Sequence, residues 1–114
     1  MLEKTGSRDL RHRMEHAQVV EPGDIARFKA LDIVPSMQPV HATSDMNMAE
    51  QRVGAQRIKG AYAWRTFLAQ GSRIACGSDF PVESPNPFFG IHAAVTRQDA
   101  AKHARRLLVP RTRR

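Results

Sequence analysis

Apolar positions along this chain come as short runs separated by longer stretches with a helical period. The run HRMEHAQVV (12–20) has the length of a strand. EPGDIARFKALD follows, with Pro22 near its start and Ile25, Phe28 and Leu31 at spacing three, which predicts an amphipathic helix of about three turns. IVPSMQP (33–39) predicts a second strand with a proline at each side, and PVHATSD after it reads as a loop. MNMAEQRVGAQRIKG predicts a helix interrupted at Gly54. GAYAWRTFLAQG predicts a stronger one, with a stripe of Tyr62, Trp64, Phe67 and Leu68 and a stop at Gly71. RIACGSD (73–79) predicts a third strand, and NPFFGIHAAVTRQDAAKHARRLL a last helix starting near Pro87.

This alternation of strands and helices predicts an α/β fold with a parallel sheet. Three strands cannot close a barrel, and a full (β/α)₈ barrel needs about 250 residues. In parallel α/β sheets functional groups gather at the carboxyl ends of the strands. The first strand ends at His16 and Gln18, the second at Gln38 with His41 beyond, the third at Asp79. Alternation puts His12, Met14 and His16 on one face and turns Arg13 and Glu15 toward the helices. It likewise groups Ala75, Gly77 and Asp79, with Cys76 facing away as a small buried apolar group.

Composition changes this picture little. Hydrophobic residues make up 41% and charged residues 25% of the 114 residues, ordinary globular usage for one domain. The formal charge of +7 is uneven. Residues through Asp99 carry 12 Lys/Arg against 11 Asp/Glu, whereas the last 15 carry six Lys/Arg and no acid. The basicity is therefore a tail, expected to be helical and then disordered, and it lacks the aromatic interleaving of a single-strand binder. Nucleic acid is not an expected partner. No apolar run is long enough for a membrane span, and the charged N-terminus is not a secretory signal. The single cysteine excludes an internal disulfide and a multi-cysteine zinc site. A cytoplasmic location is the expectation.

Histidine and carboxylate at adjacent strand ends are suitable ligands for zinc or a similar divalent ion, and a carboxylate beside metal-activated water can take its proton. Spacing alone leaves this open. His16 reads equally as a hydrogen-bonded core residue, and Asp79 as a turn former before the prolines of GSDFPVESPNP. His41 is either a surface histidine or a substrate contact. His92 and His103 read as surface positions on a helix, and Tyr62, Trp64 and Phe67 as core.

Taken together, RHRMEHAQVV, SMQPVHATSDM, GAYAWRTFLAQG and GSDFPVESPNPFFGIHAAVTRQD resemble the C-terminal part of amidohydrolase family 3, in the metal-dependent amidohydrolase superfamily. The resemblance covers residues 8–99 in order. It implies a partial TIM (β/α)₈ barrel comprising strands 6–8 and their helices, with residues 1–99 as barrel and 100–114 as basic tail. It implies hydrolysis of carbon–nitrogen bonds in a small amide or cyclic amide, with one or two divalent metals, commonly zinc. Asp79 takes the position of the metal ligand and general acid/base, and His16 that of a metal ligand. Gln38 and His41 border the substrate pocket, and Glu83 and Asn86 lie in the loop after the last strand. The superfamily's first-strand His-x-His pair, fourth-strand lysine or glutamate, fifth-strand histidine and flanking β-sandwich have no counterpart here. Two protein ligands seldom hold a catalytic zinc. The chain alone is thus expected to show neither stoichiometric metal nor turnover. Completion by further copies or by a separately encoded N-terminal half is one expectation, and an inactive truncated fragment or interaction module is the alternative.

Overall fold

The computed structural model describes residues 9–101. Three strands form one parallel sheet in the order β1 (Arg13–Glu15), β2 (Val34–Met37), β3 (Ala75–Cys76). Helical segments follow each strand. A 3₁₀ turn at Pro22–Asp24 and α1 (Ile25–Ala30) join β1 to β2. Between β2 and β3 lie α2 (Pro39–Ser44), α3 (Ala49–Arg57), a 3₁₀ turn at Ile58–Gly60 and α4 (Trp64–Ala69). After β3 comes α5 (Pro87–Thr96).

The strand register settles which face is which. Met14 lies opposite Pro35, and Met37 opposite Cys76. Pro35 and Met37 share a face by alternation, and Met37 belongs to the core with Phe28 and Phe67. That face is the one the helices cover. At its centre the rings of Phe28 and Phe67 meet edge to face at 4.9 Å, within the favoured range for aromatic pairs. Phe67 is fully buried. Met14 therefore sits on the helix side, contrary to the expectation from spacing. Arg13 and Glu15 lie on the opposite face, where they form an ion pair at 3.0 Å. Ser36, between Glu15 and Ala75, shares that face.

The first predicted strand is much shorter than its apolar run. Left-handed backbone at His16 (φ 67°) and Ala17 (φ 40°) ends the ladder after Glu15. Residues 18–20 then cross antiparallel to 60–62, with Tyr62 N–H donating to Gln18 O at 2.8 Å and Val20 N–H to Gly60 O at 3.1 Å. A Cβ on Gly60 would stand 1.8 Å from Val20 O, so only glycine permits this crossing.

Other elements depart from the periodic reading in their ends. PVHATSD is largely helical, because Pro39 occupies the first helical position, where its missing N–H costs nothing. The helix predicted from Gly60 begins only at Trp64, since Tyr62 adopts φ 49°. Its stop at Gly71 is as expected. Ser72 N–H donates to Phe67 O and Gly71 N–H to Leu68 O, with Gly71 at φ 78°, which is a Schellman ending. Leu68 and Leu31 are exposed rather than part of their stripes. The break at Gly54 is present, at φ 79°. The last helix stops at Thr96, because Arg97 turns left-handed at φ 58°. His92 is exposed as expected. His103 and the tail from 102 onward lie outside the described residues. Cys76 is exposed, not buried, since it faces an open groove of about 440 Å³ between β3 and α5. Among the described residues no helix is long and apolar enough to cross a membrane.

Candidate metal centre at the strand ends

Asp79 follows β3 in left-handed backbone at φ 58°, a conformation aspartate tolerates better than most residues. Val82 N–H closes the next turn onto Asp79 O at 2.8 Å, and the prolines carry the chain away toward α5. Asn86 caps that helix by accepting from Phe88 N–H at 3.0 Å, while Glu83 accepts from Ser44 Oγ–H at 2.6 Å. Both loop residues thus fasten the connection rather than face the strand ends alone.

His16 reaches Asp79 by a route that alternation does not supply. Extended backbone would send His16 to the helix side with Met14. Its left-handed φ instead brings the ring beside Gln38 and Asp79. Nδ1 of His16 is 3.0 Å from Gln38 Oε1 and 4.0 Å from Asp79 Oδ2. With Gln38 Oε1 as the near atom, the bond forms when Nδ1 carries the proton, the tautomer that leaves the Nε2 lone pair for an ion. Gln38 is buried and thereby holds the ring's orientation.

His41 comes from the first turn of α2 and stacks near His16, ring centroids 6.2 Å apart and planes 20° off parallel. Its Nε2 is buried and has no hydrogen-bond partner. One donor atom each from His16, His41 and Asp79 lie within 4.8 Å of one another. Two ligands at about 2.1 Å from a tetrahedral ion stand about 3.4 Å apart, so small side-chain rotations would close the cluster. The Asp79 side chain is 39% exposed, which leaves it free to make such a rotation. Two imidazoles, a carboxylate and an unsatisfied buried nitrogen fit a divalent cation.

Beneath the cluster a narrow space is lined by Gln18, Gln38, His41, Tyr62 and Trp64. Here the sequence reading missed a polar network. Asp45 Oδ2 accepts from Gln18 Nε2–H at 2.6 Å and from the Tyr62 hydroxyl. Burial, and then the bond to Asp45, push the Tyr62 phenol well above its ordinary range. Arg97 stacks 3.3 Å from the Trp64 ring centroid and donates to Tyr62 O. Burial pulls its guanidinium down to about 10. Tyr62 and Trp64 are core residues, as their spacing indicated, yet each also anchors a polar partner. The available signal was the Asp four residues after His41, which a loop reading of PVHATSD concealed.

Residues 2–113 match the sequence model of the amidohydrolase family, so the match runs past Asp99, where the motif resemblance was expected to stop. The Arabidopsis thaliana protein LONG AFTER FAR-RED 3 is 41% identical over 93 residues, which is 81% of this chain and 16% of that protein. The Bacillus subtilis (strain 168) protein YtcJ, whose name gives it as an amidohydrolase, is 37% identical over 100 residues, 87% of this chain and 19% of its own length. Among solved structures, an uncharacterized metal-dependent hydrolase from Pyrococcus horikoshii OT3 superposes with a TM-score of 0.73 at 31% identity, covering 89% of this chain and 20% of that one. Its counterpart from Pyrococcus furiosus gives 0.71 at 31% identity, over 93% and 22%. The chain thus spans about a fifth of the length of these relatives. On the family match and on its identity to these relatives, the chain belongs to the amidohydrolase family.

Proposed function

We propose that this chain contributes strands six to eight of a metal-dependent (β/α)₈ hydrolase that cleaves carbon–nitrogen bonds in a small amide or cyclic amide. The convergence of the His16 ring on Asp79 at the strand ends carries the reading. A divalent ion held there, zinc being the choice that the His/Asp donor set suits, supplies positive charge that polarises a carbonyl and lowers the pKa of water toward about 7. His16 binds the ion in an orientation held by Gln38. Asp79 takes a proton from the attacking water and returns it to the departing nitrogen. Gln38 and His41 border the space where the carbonyl would lie.

Completion by further strands is part of this reading. Arg13 and Glu15 of β1 and Phe88, Ile91 and Val95 of α5 are exposed. A second copy or a separately encoded N-terminal half would cover such surface. A cytoplasmic location is in keeping with the lone cysteine.

The test uses the chain with zinc, alone and mixed with the N-terminal segment of the Bacillus subtilis relative. Amine release from N-acyl and cyclic amides is followed. We expect release from the mixture, none from the chain alone, and a fall of about 10³-fold with Asp79→Asn. Release that needs no metal, or that survives Asp79→Asn, would overturn the proposal.

A further inference from the structure

We infer that His41 is a third protein ligand, so that this chain by itself carries a complete three-donor cation site. The inference rests on the reading of His16 and Asp79 as ligands and adds a donor to it. Three observations support the addition. One donor atom of His41 falls within the same 4.8 Å cluster as those of His16 and Asp79. Its Nε2 is buried without a hydrogen-bond partner, a condition a native structure rarely leaves unanswered. And α2 is fixed at both ends near the ring: His41 N–H donates to Gln38 O at 3.1 Å, and Asp45 N–H donates to His41 O at 2.9 Å.

Rigid placement matters because a metal site gains affinity when its ligands are preorganised. Asp45 is itself held by Gln18 and Tyr62, so the turn of helix that carries His41 is tied to the core. A buried ring nitrogen left without a partner in such a place is costly. Two imidazoles and one carboxylate with a fourth position open are the donor set of a catalytic zinc. On this inference the chain retains metal by itself, against the expectation for two ligands.

The experiment is a Co²⁺ titration of the full 114-residue chain, read by visible d–d absorption and equilibrium dialysis rather than by activity. We expect one Co²⁺ per chain with the intense bands of a four-coordinate ion. His41→Ala should weaken binding by about 10²-fold. His41→Asp, which keeps a donor, should retain the ion with shifted bands, and His92→Ala on exposed α5 should change nothing. Far-UV circular dichroism checks folding of each variant. Should His41→Ala fail to fold, proton NMR of the Co²⁺-loaded parent chain decides. Two hyperfine-shifted imidazole N–H signals are expected, with one lost in His41→Asp. Unchanged affinity and bands in His41→Ala, or one shifted imidazole alone, overturn the inference and leave His16 and Asp79 standing. No stoichiometric Co²⁺ in the parent chain overturns the inference and returns the site to two ligands that hold metal only in a completed barrel.

Discussion

Tyr62 shows how a single residue can serve the core and the site together. It is buried, yet its hydroxyl donates to Asp45, which in turn borders the helix that carries His41. Tyr62→Phe removes that donor and leaves the carboxylate with Gln18 alone. A hydrogen bond to a charged group contributes about 1.5–3 kcal/mol, so urea unfolding should show a loss in that range. No loss would mean that the network does not tie α2 to the core. Cys76 offers a second check at this scale. Burial raises its thiol above the ordinary value although one side faces the groove. A folded-state pKa above the unfolded one contributes stability below the unfolded pKa, and that contribution is lost as pH rises through the folded value. Alkylation of Cys76 should accordingly lag a free thiol at pH 8 and reach its half-maximal rate at higher pH. A profile matching the free thiol would contradict this.

At the scale of elements, local signals were legible where one residue dictates the backbone. Gly71 ends α4 and Gly54 interrupts α3 because both adopt positive φ, and the sequence marks both. The parallel order of the strands followed from helices between them. What period-two alternation could not reveal was the left-handed backbone at His16, which ends β1 and moves the ring off the face shared with Met14. Non-glycine residues at positive φ carry no sequence mark, and such strained positions gather at functional sites. Nor could it reveal the crossing of 18–20 with 60–62, which depends on contacts over 40 residues apart. That crossing makes a sharp prediction. Gly60→Ala forces a Cβ onto Val20 O, and the strand-end segment that carries Gln18 must shift. Unfolding free energy should fall by about 3 kcal/mol, near the upper end for overpacked substitutions. A loss below about 1 kcal/mol would show that the two segments are not locked in this register.

At the scale of the whole molecule, three strands and their helices place His16, His41 and Asp79 at one end of the sheet. His16 and Asp79 stood out as strand-end candidates that spacing left open and the family resemblance singled out. His41 read from the sequence as a pocket residue only, since its place beside His16 depends on PVHATSD being helical. The central claim is that these donors hold a divalent ion on this chain. The most direct test is the zinc content of the purified chain after dialysis against metal-free buffer, measured by inductively coupled plasma mass spectrometry. The account predicts about one zinc per chain, reduced to background in Asp79→Ala. Background zinc in the unsubstituted chain, or equal zinc in both proteins, would contradict it.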